Sequence, residues 1–270
     1  MYYNAIFGGI IGDMVGSLYE WNPCLKDKVN TFPLWKGFPI QFLQHESQRT
    51  GSRYTDDTVC GLAIADALMQ VNNFSDEEEV KSACIHSLKT ICPQYEWAGY
   101  GSRFWIWVSS PMERSKPYNS WGNGSAMRVF PAGMLFDTIE QTRQVARWTA
   151  EITHNHLDGI KGAESTAAAM FLARTGHPKE EIKAYLTQEF GGNVPFSYDF
   201  DRKLDDIRPK YGFYGSCKES VPESILCYLE GKSFEECIRL AVSLGGDSDT
   251  MGCITGSIAA MQYEIPNKML

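Results

Sequence analysis

GGIIGDMVGSLYE, residues 8–20, carries glycine at positions 8, 12 and 16. An interval of four lines these glycines along one stripe of a helix. Glycine inside a helix costs about 0.5–1 kcal/mol relative to alanine, so the stripe predicts close packing against another backbone or a ligand. The surrounding run from Ala5 to Leu18 is apolar on most faces and is broken only by Asp13. It is too short to span a bilayer, which takes about 20 apolar residues. The stretch reads as a buried helix over 5–19, and it points to a helical fold.

Helical signals recur beyond it and strand signals are scarce. VCGLAIADALMQV (59–71) is an apolar helix, and Ser75-Asp76-Glu77-Glu78 is a capping-box pattern for the next one, running to about Thr90. Further helices are expected over 138–151, 158–174, 178–190, 221–230, 233–243 and 249–262. His177-Pro178 places proline at a first helical position, with Glu180 and Glu181 in the first turn. RFWIWV (103–108) is read as a short strand. Three polar or Gly/Pro-rich stretches, 21–50, 93–137 and 191–220, are long for loops, and loops of that length are often functional. No repeat or composition shift marks a second unit, so one mostly helical domain over 1–270 is expected.

The chain has 25 Lys and Arg against 33 Asp and Glu, a net charge of −8. That balance argues against unspecific binding to nucleic acid or anionic lipid, which needs a basic surface. The eight cysteines form no Cys-x-x-Cys pair, so zinc fingers and thioredoxin-like chemistry are disfavoured and reduced core thiols expected. No basic n-region or small-residue cleavage site opens the sequence, which suggests a cytoplasmic protein without a membrane anchor.

Two acidic motifs carry the chemistry. Thr55-Asp56-Asp57-Thr58 precedes the helix at 59–71, and Gly245-Gly246-Asp247-Ser248-Asp249-Thr250 precedes the one at 251–262. Taken singly, each reads as a helix N-cap, since Asp and Thr suit that position and the helix dipole favours negative charge there. Taken together they offer four carboxylates where a cap needs one oxygen, and four such groups repel unless a cation neutralises them. Oxygen donors without cysteine or histidine suit Mg²⁺, with Mn²⁺ as the alternative, better than zinc. Spacing alone does not bring the motifs together, so capping and a dinuclear centre both stay open.

The order of the segments resembles the ADP-ribosylglycohydrolase family, the group of the dinitrogenase-reductase-activating glycohydrolase and the ADP-ribosylarginine hydrolases. GGIIGDMVGSLYE (8–20) is similar to the family's opening helix ending in Glu, and TDDT (55–58) and LGGDSDTMGCITGSIAA (244–260) are similar to its two metal-binding helices. SWGNGSAMRVFPAG (120–133) resembles its phosphate-side loop, and THNHLDGIKGAESTAAA (153–169) and VPESILCYLE (221–230) fit between. The likeness spans about residues 5–262.

The resemblance implies an all-α orthogonal bundle with two Mg²⁺ at the base of an ADP-ribose cleft. By motif, Thr55, Asp56, Asp57, Asp247, Asp249 and Thr250 would hold the ions. Glu20, Asp57 and Asp249 would be catalytic, with either Glu20 or Asp249 moving the proton. Gly99, Tyr100, Gly101, Ser120, Trp121, Gly122, Asn123, Gly124 and His154 would line the substrate site, the Ser120–Gly124 loop contributing backbone N–H groups to phosphate. Trp97, Tyr100, Trp121 and Tyr211 are candidates for stacking on adenine, and Arg128 reads as a partner in a structural ion pair. The implied activity is Mg²⁺-dependent hydrolysis of the bond between ADP-ribose and a modified side chain, most simply N-linked arginine, by a monomer. The alternatives are another ADP-ribosyl linkage (serine, a nucleic-acid base, O-acetyl-ADP-ribose), a non-catalytic ADP-ribose-binding protein on the same fold, and a two-metal phosphoesterase.

Overall fold

A computed structural model describes residues 2–20, 52–192 and 197–270. Within them the chain forms helices α1 (Tyr2–Gly16), α2 (Asp56–Gln70), α3 (Glu77–Ile91), α4 (Ser102–Val108), α5 (Gly124–Met127), α6 (Phe130–Leu135), α7 (Ile139–Glu151), α8 (Leu157–Arg174), α9 (Lys179–Phe190), α10 (Leu204–Ile207), α11 (Cys217–Glu230), α12 (Phe234–Leu244) and α13 (Ser248–Gln262). There is no strand among the described residues, only an isolated antiparallel bridge between Gly122 and Ser216. The architecture is all-α.

The centre of the fold is the pairing of α1 with α13. A Cβ added to Gly8 would lie 2.4 Å from the Gly256 carbonyl oxygen, one on Gly12 1.9 Å from that of Gly252, and one on Gly16 2.1 Å from that of Ser248. As one number rises the other falls, so the two helices run antiparallel. The predicted stripe therefore packs on a second backbone. The reciprocal glycines Gly252 and Gly256 lie in the second acidic segment, and the Ser248 hydroxyl donates to the Gly16 carbonyl oxygen at 2.8 Å. This register carries the end of α1, with Glu20 beyond it, to the start of α13, with Asp247 and Asp249. Nearly all of α13 is buried, as is α8 from Asp158 to Ala173.

The expected long helices form, with shifts of a few residues at their ends. Asp76, not Ser75, caps α3, accepting from the Glu78 and Glu79 N–H groups, and Pro178 stands one position before α9 as its N-cap. RFWIWV is helical, not extended. Phe104, Trp107 and Val108, at i, i+3 and i+4, enter the core while Ile106 is 71% exposed, so packing overrides the strand preference of its aromatic and branched residues. Among the described residues the stretch 93–137 holds α4, α5 and α6 with two 3-10 helices, and 191–220 holds α10, a 3-10 helix and the first turn of α11, while the 21–50 stretch lies outside the described residues. Seven described cysteines are buried and free.

Candidate active site

Two helix starts and one helix end meet at a cavity of about 460 Å³. Its acidic side is lined by Glu20 from beyond α1, Thr55, Asp56 and Asp57 from the start of α2, and Asp247, Asp249 and Thr250 from the start of α13. The same cavity is lined by the Ser120–Gly124 loop, Tyr118, Arg103, Arg128 and His154.

The two acidic motifs divide the capping role differently. At α2 the Thr55 side chain is the cap, accepting from the Asp57 N–H at 3.3 Å, so Asp56 and Asp57 are not needed for it. At α13 the N-cap residue Asp247 makes no side-chain cap bond. Its Oδ2 instead accepts from Asn123 Nδ2 at 2.8 Å. Gly245 and Gly246, at φ 69° and 75°, take the left-handed turn that delivers Asp247 to this place. Capping therefore does not account for the carboxylates.

Their electrostatics are those of a site built for a cation. One carboxylate oxygen each from Asp13, Asp57 and Asp249 lie within 4.8 Å of one another, and the same holds for Glu20, Asp247 and Asp249. Burial raises the Asp249 carboxyl to about 8, with Glu20 adding repulsion. Asp57 is pushed well above the usual carboxylate range by burial and then by Asp249, Asp247 by burial and Asp249, and Asp56 by burial and Asp13. Asp57 Oδ1 is buried and accepts no hydrogen bond among the described residues. A buried, unpartnered carboxylate oxygen beside like charges is costly unless a cation meets it. The all-oxygen donor set fits a hard divalent ion.

Sequence reasoning did not assign Asp13. It is buried in α1 and accepts from both the backbone N–H and the hydroxyl of Thr55 and of Thr58. Burial outweighs these four bonds and lifts its carboxyl to about 6. The available signal was its place as the lone charge between Ala5 and Leu18.

Also lining the cavity, His154 is buried and held neutral, its pKa driven well down by burial and then by Arg128 and Arg103. Arg128 Nη2 donates to Thr153 Oγ1 at 2.7 Å, and Thr153 Oγ1 lies 2.7 Å from His154 Nδ1. Nδ1 is the acceptor that the described contacts offer the Thr153 proton, and that pairing assigns the hydrogen of the neutral ring to Nε2. Nε2 faces the glycine loop, where a Cβ on Gly124 would lie 3.1 Å from it. Arg128 is not the ion-pair partner expected: its described partners are the Thr149 carbonyl oxygen and Thr153, and no carboxylate pairs with it among the described residues. In the loop, the Gly122 N–H goes to Ser120 Oγ and that of Asn123 to the Gly215 carbonyl oxygen, so two expected phosphate donors are already used.

Every residue expected to hold metal, act in catalysis or line the substrate site lies on the cavity wall except Tyr100. The Tyr100 hydroxyl donates to the Cys92 carbonyl oxygen, and its ring stacks on Trp105. Of the stacking candidates, Trp121 lines the cavity and is 53% exposed. Trp97 packs edge-on against Tyr54 and Tyr211 is buried.

The fold and the site together define an all-helical protein whose acidic cluster, set in a cavity, could hold a cation. More specifically, the chain belongs to the ADP-ribosylglycohydrolase family, whose model matches residues 2–270. It is 24% identical over 314 residues to the ADP-ribosylhydrolase ARH3 of Homo sapiens, covering 96% of this chain and 84% of that one. It is 22% identical over 273 residues to the ADP-ribosylarginine hydrolase Tri1 of Pseudomonas putida (strain GB-1), covering 97% and 70%. Among solved structures, an ADP-ribosylglycohydrolase-related protein complex superposes with a TM-score of 0.73 at 25% identity, covering 99% of this chain and 90% of that one. Family and relatives support ADP-ribosyl hydrolase activity, and the acidic clusters are able to bind metal. Among the described residues no helix is long and apolar enough to cross a membrane.

Proposed function

We propose that the chain hydrolyses the glycosidic bond between ADP-ribose and a modified side chain, N-linked arginine being the simplest, and releases ADP-ribose. The observation that carries this reading is the convergence of Glu20, Asp56, Asp57, Asp247 and Asp249 on one cavity that His154 and the glycine loop also line. The arginine linkage is supported by the likeness to Tri1, whose name specifies it.

Thr55, Asp56, Asp57, Asp247, Asp249 and Thr250 would hold two Mg²⁺, with Mn²⁺ as a substitute. Divalent cations held there would supply fixed positive charge that neutralises these carboxylates and would favour hydroxide over water at neutral pH. Either Glu20 or Asp249 would take the proton of the attacking water, and that proton would pass to the departing side-chain nitrogen as the bond to the anomeric carbon breaks. Asn123 fixes the rotamer of Asp247 through its amide. The His154 Nε2–H is a neutral donor suited to a diphosphate oxygen, and Trp121 offers a face to a base.

Incubation of the protein with arginine-ADP-ribosylated substrate and Mg²⁺ should release free ADP-ribose. AMP as product would indicate phosphoester cleavage instead, and no turnover would overturn the enzymatic reading for this linkage. Serine-linked and O-acetyl substrates run in parallel fix the leaving group.

A further inference from the structure

Asp13 has no part in the chemistry described above, yet it is the hub of the first acidic motif. Three donors converge on its Oδ2: the Thr55 N–H at 2.8 Å, the Thr58 N–H at 3.1 Å and the Thr58 hydroxyl. Its Oδ1 takes the Thr55 hydroxyl at 2.8 Å. A carboxylate with three donors on one oxygen and one on the other has little left to offer an ion, although its distance to Asp57 and Asp249 would permit ligation.

The Thr55 hydroxyl shows what this arrangement does. Its oxygen lies 2.8 Å from Asp13 Oδ1 and 3.1 Å from Asp57 Oδ2, and it has one proton. Directed to the nearer carboxylate, that proton leaves a Thr55 lone pair and an Asp57 oxygen side by side with no hydrogen between them. Two acceptors 3.1 Å apart without a proton are suited to adjacent places in the oxygen shell of a hard cation. The unpartnered Asp57 Oδ1 belongs to the same carboxylate.

We propose that Asp13 is a positioning residue that sets the Thr55 hydroxyl rotor and the first turn of α2, so preforming the acidic site for a divalent cation without ligating it. The inference rests on the metal-site reading above. Asp13→Asn makes the test sharp. With its carbonyl oxygen kept toward the three donors, the new amide donates to the Thr55 oxygen and turns the Thr55 proton toward Asp57, into the cation's place.

The experiment is calorimetric titration of Mn²⁺ into wild type, Asp13→Asn and Thr58→Val, with thermal melts of each metal-free protein. Thr58→Val removes one hydroxyl anchor and leaves Thr55 untouched, so it carries the test if Asp13→Asn does not fold. The expected result is Mn²⁺ affinity weakened about 10- to 100-fold in Asp13→Asn and less, in the same direction, in Thr58→Val. The wild-type number of ions should be retained and kcat should recover at saturating Mn²⁺. Unchanged affinity with only a lowered melting temperature would show a merely structural role. Loss of one ion at every concentration would make Asp13 a ligand. Either outcome overturns the proposal alone, whereas a wild-type protein that binds no Mn²⁺ would remove the metal-site reading with it.

Discussion

Asn123 and Asp247 lie 124 positions apart in sequence, and their side chains meet at 2.8 Å, the amide Nδ2 donating to Oδ2. This bond ties the glycine loop to the start of α13 and its carboxylates. Replacing Asn123 with Ala frees the Asp247 carboxylate to turn, and outer partners of ligating carboxylates are commonly worth 10- to 100-fold. Steady-state release of ADP-ribose by Asn123→Ala should therefore fall by about that factor in kcat/KM. A melting curve close to wild type would show that the loss is not one of folding.

Gly12 faces the Gly252 carbonyl across the α1–α13 contact. Helix propensity alone predicts that alanine at this position stabilises by about 1 kcal/mol. The added Cβ would sit 1.9 Å from a backbone oxygen that has no side-chain freedom to move aside, and overpacking of this kind costs about 1–3 kcal/mol or more. Gly12→Ala should be less stable in urea denaturation despite its better propensity. A gain in stability would show that the helices separate at little cost.

The raised carboxyls give the metal-free protein a definite pH response. Asp13 titrates at about 6 and Asp249 at about 8 in the folded chain, against an unfolded carboxyl near 3.8. Between those limits the folded state holds more protons than the unfolded one, so stability is greatest on the acid side and falls as pH rises toward 8. The melting temperature of chelated protein should drop from pH 5 to pH 8. Added Mg²⁺ should raise it more at pH 8 than at pH 5, because protons compete with the ion at the lower pH. A metal-induced shift independent of pH would contradict the assignment of these carboxylates.

Asp57→Ala and Asp249→Ala should each abolish measurable turnover. Glu20→Gln keeps shape and removes the capacity to take a proton, a contribution typically worth about 10²–10⁴ in rate. If Glu20 moves the proton, kcat falls by that range in Glu20→Gln while Mn²⁺ binding measured by titration persists. A kcat within threefold of wild type would assign the proton transfer to Asp249.

Much of this molecule is legible in its residues, for physical reasons that differ by element. The stripe at Gly8, Gly12 and Gly16 reads correctly because a destabilising residue repeated at helical spacing needs a reason, although nothing local says that its partner is α13. The long helices announce themselves through caps such as Asp76 and through their apolar faces. α4 does not: Trp105, Ile106 and Trp107 favour extended backbone locally, and only the core around Phe104 and Trp107 selects the helix. Asp13 escaped assignment because its four partners lie 42 and 45 positions away. Arg128 was read as half of an ion pair because a buried guanidinium usually has a carboxylate, whereas here a carbonyl and a hydroxyl serve.

The antiparallel register of α1 and α13 also constrains the order of events during synthesis. The Ser248 hydroxyl reaches the Gly16 carbonyl across 232 positions of chain, a separation at which loop closure slows folding. While α13 is still unmade, the nascent polypeptide carries TDDT and Asp13 with no second helix start to face them, and α1 exposes a glycine-lined apolar groove. Both halves of the acidic cluster are therefore complete only once the glycine faces of α1 and α13 have closed.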